Sequence, residues 1–266
     1  MPPGSESARG KRTRVPPTEV GDRDSRGSLG TVRNAVTLLE LLGEGPAYQQ
    51  LTDLADRSGM SVPTVHRLLR SLVLADLVEQ DPRSSRYSLG PELVRLSHRY
   101  LARLPILGAL APYLAQLRDL VRATVVVQTL VRSAVVTIDR VDGPDAGLYR
   151  EPHSVRNPLT TATGRLLGAR AGDDEWKTML EQCAESDRAR AEASREAWAS
   201  APWLLVEGNP LGPPGHVAVP LLGGQGTALA TLAATVAPGT SPADVEVVAG
   251  HLARAGAAAV RTLGHA

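Results

Sequence analysis

The chain has 266 residues and a formal net charge of +1, so it is long enough for two domains and is not a generally basic nucleic-acid binder. Hydrophobic residues make up 42% of the sequence, but aromatic residues only 3%, so Leu, Val and Ala must fill the core. The single cysteine, Cys183, excludes a disulfide framework or a cysteine metal site within one chain.

The amino-terminal segment, residues 1–28, is rich in Pro, Gly, Ser and Arg and has no apolar run. This composition predicts a disordered tail rather than a signal peptide. The apolar residues Val32, Val36 and Leu39 then follow helical spacing, which indicates an amphipathic helix over Thr31–Leu42.

The next segment has the pattern of a helix-turn-helix. Gly59 can adopt the left-handed conformation that ends a first helix, and Ser61 is a suitable N-cap for a second. The predicted buried face of the second helix consists of Val62, Val65, Leu68, Leu69 and Leu72. Its opposite face is rich in groups that bind phosphates or base edges, namely Ser61, Thr64, His66, Arg67, Arg70 and Ser71.

A β-hairpin is predicted directly after this helix pair. Residues 77–80 and 86–89 alternate in polarity around a turn at 81–85, and Arg83 and Arg86 lie near its tip. A small helical bundle with a solvated polar face is the alternative, but the basic hairpin favours a DNA-binding wing. Residues 29–104 hold nine Arg and eight acidic residues, so the basic side chains must act locally. The predicted DNA-binding residues are Ser61, Pro63, Thr64, His66, Arg67, Arg70, Ser71, Arg83 and Arg86.

The remainder of the chain predicts an α+β domain with one antiparallel sheet. A linking helix begins at Glu92, and a helix over Leu107–Val121 follows it. The predicted strands are Thr124–Val131, Ala134–Val141, Gly147–Glu151, His216–Leu222 and Thr227–Val236. The other predicted helices are Thr161–Ala171, one or two within Asp173–Trp198, and Pro242–Leu263. The uncharged run Val217–Ala243 is divided by proline and glycine, so a buried hairpin is favoured over a membrane span.

Three sequence segments closely resemble the winged helix-turn-helix of the IclR family of bacterial transcriptional regulators. They are Thr64–Leu72 (TVHRLLRSL), followed by Leu77–Glu79, and Arg86–Gly90 (RYSLG). The resemblance implies a winged helix-turn-helix domain at 29–90. It also implies a linking helix with a GAF-like effector-binding domain at 91–266.

The second region also resembles the effector-binding domain of that family, at Val155–Leu159, Thr161–Arg165 and Gly215–Pro220. The resemblance implies a pocket that binds a small organic acid. Small residues at a helix start leave N–H groups open to a carboxylate, and His216 adds a donor or a pH-dependent charge. The alternative is that these small residues only allow close helix–sheet packing. The predicted effector-binding residues are Leu148, Leu159, Ala162, Thr163, Gly164, His216, Ala233 and Thr235.

Taken together, these features predict a cytoplasmic regulator with double-stranded operator DNA and a small carboxylate as its partners. Two copies on a pseudo-palindrome would double the contacts, so a homodimer or a dimer of dimers is expected. No cofactor, metal or membrane is expected. One alternative is a DNA-binding protein whose second domain serves only oligomerisation. Another is an enzyme with an appended winged-helix module, although the sequence has no GxSxG, Walker-type or HExxH motif.

Overall fold

The computed structural model describes residues 22–146, 154–155, 157–208, 214–224 and 226–264. The chain divides into two compact units, Met1–Ser97 and His98–Ala266. The first unit contains α1 (Asp22–Glu44), α2 (Leu51–Ser58), α3 (Val62–Leu74), β1 (Val78–Gln80) and β2 (Tyr87–Leu89). Helix α4 (Glu92–Leu101) crosses the division between the units.

The first unit is a three-helix core with a short antiparallel hairpin, as the sequence predicted. Its core side chains come from all three helices and the hairpin and include Leu38, Leu54, Leu69, Val78 and Tyr87. Helix α1 begins nine residues before the predicted Thr31, because the polar stretch from Asp22 contains no proline to stop it.

The turn between α2 and α3 forms as predicted. Gly59 has a φ of 67°, in the left-handed region where glycine carries no side-chain penalty. Ser61 occupies the N-cap position of α3, and Pro63 lies in the first turn. The prediction that Val62 is buried was wrong. Its side chain is 44% exposed, because it lies at the first residue of α3, before the helix reaches the core.

Gln49 connects the hairpin to the helices. Its backbone N–H and C=O both pair with Tyr87 of β2, at 2.9 Å each. The buried side chain donates to the carbonyls of Leu41 and Leu42 at the end of α1, and its Oε1 accepts from Arg57. These bonds satisfy carbonyls that a helix end leaves open, and they fix the hairpin relative to α1 and α2.

The second unit is built on a six-stranded antiparallel sheet. In chain order its strands are β3 (Val125–Val131), β4 (Ala134–Val141), β5 (Ser154–Val155), β6 (Leu204–Val206), β7 (Gly215–Leu222) and β8 (Ala228–Val236). The spatial order is β5-β4-β3-β8-β7-β6. Its helices are α5 (Pro105–Val121), α6 (Ala162–Ala169), α7 (Asp173–Glu181), α8 (Glu185–Ser200) and α9 (Pro242–Leu263), with a 3₁₀ turn at Pro158–Thr160.

The two faces of this sheet carry different layers. One face packs against α5 and α9 through a large aliphatic core that includes Leu110, Val127, Leu232 and Leu252. The other face receives α6 in a smaller cluster of Val126, Ala162, Leu166, Ala218 and Ala233. Alanine on both sides brings α6 close to the strands.

Most predicted elements of this unit are confirmed, including the hairpins β3–β4 and β7–β8 and the closing helix. The family resemblance at Val155–Leu159 implied a strand, and β5 includes Val155. Strand β6 was not predicted, because three residues are too few to show an alternating pattern. The strand predicted at Gly147–Glu151 lies outside the described residues. Among the helices described, none combines the length and the apolar character that crossing a bilayer requires.

Candidate nucleic-acid interface and ligand pocket

Helix α3 presents its polar face to solvent, as a recognition helix requires. Ser61, Pro63, His66, Arg67, Arg70 and Ser71 are exposed and Thr64 is half-buried. The hydroxyls of Ser61 and Thr64 lie 2.8 Å apart, so Ser61 bonds to Thr64 instead of capping a backbone N–H. Within the described residues neither Arg67 nor Arg70 forms an ion pair, so both guanidinium groups are available to a nucleic acid.

The hairpin tip is organised by Asp81. Its carboxylate accepts hydrogen bonds from the backbone N–H groups of Arg83 and Ser84, at 3.1 Å each, and from the Ser84 hydroxyl. Ser85 adopts a left-handed backbone with a φ of 58°, and its N–H donates to the Asp81 carbonyl at 2.8 Å. The backbone that carries Arg83 and Arg86 is therefore held in one conformation, with both side chains exposed.

Removal of the Asp81 carboxylate is expected to weaken DNA binding without changing sequence preference. In Asp81→Ala the wing tip loses three acceptor contacts, so Arg83 and Arg86 are no longer held in position. Affinity for specific and random DNA should fall by a similar factor of a few, because phosphate contacts carry no sequence information. Fluorescence anisotropy with both DNAs checks this. Asp81→Asn keeps an acceptor oxygen and should bind nearly as well as the parent.

The same contacts determine how the wing responds to pH. The Ser84 hydroxyl, and then the Arg83 N–H, hold the pKa of Asp81 below its ordinary value. A carboxylate whose pKa is lower in the folded state than in the unfolded state stabilises the fold fully above its unfolded-state pKa. This stabilisation is lost as the pH falls through the folded-state pKa. The Asp81 network should therefore be intact at neutral pH and fail only in acid.

The start of α6 carries a buried polar contact with the sheet. Thr163, 1% exposed, donates its hydroxyl hydrogen to Oε1 of Gln128 at 2.6 Å, and its oxygen lies 2.8 Å from the hydroxyl of Thr231. Gln128 and Thr231 belong to the paired strands β3 and β8. Sequence reasoning missed these two partners; the only signal was a polar side chain within each apolar strand.

The small residues of α6 allow close packing. A Cβ on Gly164 would lie 1.9 Å from the carbonyl oxygen of Pro158. The Gly164 N–H donates to the Thr161 hydroxyl at 2.9 Å, so the helix start is capped internally. Ala162 and Ala233 meet in the cluster beneath α6. The helix–sheet packing that was the alternative interpretation of these residues is thus present.

The other predicted effector residues lie at several places. His216 and Thr235 pair across β7 and β8, and the Thr235 hydroxyl bonds to Asp145. Leu159 packs with Trp176 and Met179 in a different cluster, because the 3₁₀ turn directs it toward α7. Leu148 lies outside the described residues.

A cavity of about 450 Å³ lies at the far end of α6, lined by residues of β3, α6, α7 and the β7–β8 turn. None of the predicted effector residues that the structure describes lines it. Arg170, one of its lining residues, donates to the carbonyls of Leu166, Trp198 and Ala201. Its guanidinium therefore ties α6 to the end of α8.

Comparison with known proteins agrees with this architecture. The IclR helix-turn-helix domain matches residues 31–82. The HTH-type transcriptional regulator XynR of Escherichia coli is 29% identical over 175 residues, which are 65% of this chain and 69% of XynR. An IclR family transcriptional regulator from Brucella abortus has a TM-score of 0.75 at 21% identity, covering 95% of this chain and 99% of that one. An IclR homologue from Microbacterium hydrocarbonoxydans, complexed with 4-hydroxybenzoate, has a TM-score of 0.67 at 20% identity, covering 89% and 100%.

Proposed function

We propose, from the premise that the chain belongs to the IclR family of transcriptional regulators, that a small organic acid controls its binding to operator DNA. The exposed polar face of α3 beside the basic wing carries the DNA-binding part of this proposal. We assign DNA binding to residues 29–90, and to 91–266 the linking helix with effector binding. The chain would act in the cytoplasm, where the chromosome is, and would catalyse no reaction.

In the proposed complex, α3 enters the major groove. Thr64, His66 and Arg67 lie nearest the bases, and Arg70 lies nearer phosphate. Arg83 and Arg86 on the wing contact the backbone or minor groove. Pro63, Ser61 and Ser71 complete the contact surface at the two ends of α3. The near-neutral charge of the domain leaves little non-specific attraction, so specific affinity depends on two copies acting together.

Two copies of the chain are proposed to associate through α1 and α4. Within the described residues, α4 has no buried side chain although it carries Leu96 and Tyr100, 45% and 58% exposed. Val32 on α1 is 64% exposed. Apolar side chains repeated along two helices are typical of surfaces that a partner covers. The half-buried residues Val36, Leu39 and Leu93 lie on the same two helices.

Tyr100→Glu is expected to convert the dimer into a monomer, because a charge would be buried in an apolar interface. Light scattering measures the mass, and specific operator affinity should fall with it. Val247→Glu is the matched control, since Val247 on α9 is also 58% exposed. A parent protein that is monomeric at micromolar concentration and still binds its operator specifically would contradict the proposed dimer.

The effector pocket is proposed at the start of α6, where Thr163 meets Gln128 and Thr231. This buried polar group lies at the helix start that resembles the effector-binding segment of the family, next to Ala162, and the cluster beneath α6 includes Ala218 and Ala233. A carboxylate could take over the hydroxyl hydrogen of Thr163 from Gln128. The structural neighbour bound to 4-hydroxybenzoate supports an aromatic acid as the ligand.

Replacement of Thr163 tests this function. Thr163→Val keeps the volume but removes the hydroxyl, so the response to 4-hydroxybenzoate should be lost while operator affinity stays at the parental value. An operator is first selected from a random DNA pool, and its affinity is then measured with and without the acid. Thr178→Val, an exposed threonine of α7, is the control. A Thr163→Val protein that still responds at the parental concentration would place the pocket elsewhere.

A further inference from the structure

A second, smaller cavity lies on the side of α6 that faces α8, away from the sheet. Its volume is about 160 Å³, and the 3₁₀ turn, α6 and α8 enclose it. A water molecule occupies about 30 Å³ in the liquid, so this space matches a small organic ion. The lining residues on which the argument depends are Leu159, Arg165, Asp187, Arg190, Ala191 and Trp198.

Two arginines concentrate positive charge at this cavity. Arg165 is half-buried and uses only its Nε–H within the described residues, donating to the Leu159 carbonyl at 2.8 Å. Burial lowers the pKa of Arg165, and the nearby charge of Arg190 lowers it further. Asp187 opposes this effect, but neither arginine forms an ion pair within the described residues. An anion between the two guanidinium groups would relieve their repulsion.

The rest of the lining is mixed: Leu159, Ala191 and Trp198 are apolar, Asn157, Thr160 and Cys183 are uncharged, and Asp187 is acidic. Leu159 and Ala191 are buried, and the indole of Trp198 lies beside Arg165, with Cζ 5.1 Å from the ring centroid. Burial raises the pKa of the Cys183 thiol, so this lining residue adds no negative charge at neutral pH. The cavity therefore combines two cationic side chains with an apolar surface, and Asp187 adds one acidic side chain.

We propose that this cavity is a second ligand site, which binds a small monocarboxylate with a short apolar chain. The carboxylate lies between Arg165 and Arg190, and the chain lies against Leu159, Ala191 and Trp198. A multiply charged inorganic anion fits less well, because Asp187 would repel it more strongly and because it has no apolar part to contact Leu159, Ala191 and Trp198. The site is separate from the pocket at Thr163, because none of its lining residues belongs to the cluster at the start of α6.

Calorimetric titration of the full chain with propionate tests the proposal, with sodium chloride keeping the ionic strength constant. Millimolar binding is expected. Arg190→Gln should weaken it by about tenfold, because one charge-assisted contact is lost. Asp187→Asn should strengthen it by about threefold, because the opposing charge is removed. Arg190 and Asp187 are both exposed, so neither change threatens the fold.

Two controls identify where propionate binds. Lys177→Gln removes a positive charge from an exposed site on α7 outside the cavity and should leave the affinity unchanged. Thr163→Val should also leave it unchanged, which separates this site from the proposed effector pocket. Absence of binding heat, equal affinities in Arg190→Gln and Asp187→Asn, or inorganic phosphate binding as tightly as propionate would each overturn the proposal.

Discussion

Arg67→Ala is expected to lose about 1–3 kcal/mol of binding free energy on the selected operator and much less on random DNA. Arg67 lies on the exposed face of α3, opposite the buried Val65 and Leu69. Its guanidinium has no ion-pair partner among the described residues, so it can make a bidentate contact to a guanine edge. Loss of that contact should relax specificity at one base position.

Two other arginine substitutions distinguish base reading from general attraction. Arg83→Ala on the wing should lower the affinity for all DNA sequences by a similar factor. It should also reduce the salt dependence of binding, as loss of a phosphate contact does. Arg254→Ala, an exposed position of α9, should change neither. Anisotropy titrations at several salt concentrations measure the DNA affinity of all three variants and its salt dependence. If Arg67→Ala binds the operator as tightly as the parent, the proposed docking of α3 is wrong.

The helix-turn-helix could be predicted from sequence because its determinants are local. Gly59 ends one helix, Ser61 begins the next, and the apolar spacing from Val65 to Leu72 defines a face within three turns. The hairpins β3–β4 and β7–β8 were predictable for the same reason, since each joins two adjacent apolar runs through a short turn. The exposure of Val62 was missed because periodicity does not show where a helix enters the core.

The polar contacts at the start of α6 could not be predicted from sequence, because they join distant parts of the chain. Thr163 meets Gln128, 35 residues earlier, and Thr231, 68 residues later. No local pattern encodes that meeting. The short strand β6 likewise exists because β7 pairs with it. Sequence resemblance located the start of α6 as important, but only the fold shows that its small residues press against the 3₁₀ turn.

That close contact predicts a large loss of stability in Gly164→Ala. The added Cβ would lie 1.9 Å from the Pro158 carbonyl oxygen and 2.3 Å from its carbonyl carbon. Both atoms are backbone, so no side-chain rotation relieves the clash, and α6 or the 3₁₀ turn must move. Overpacking of this kind costs about 3 kcal/mol or more. Chemical denaturation of the full chain should show the second unit unfolding at a lower denaturant concentration.

Gly108→Ala provides the matched control, because Gly108 also lies inside a helix but its Cβ would meet nothing within 4 Å. There the substitution should stabilise the second unit by about 0.5–1 kcal/mol, since alanine loses less backbone freedom than glycine in a helix. The two variants carry the same chemical change in the same unit, so opposite signs would isolate the contact with Pro158. Equal stability of both variants would mean that α6 does not press against the turn.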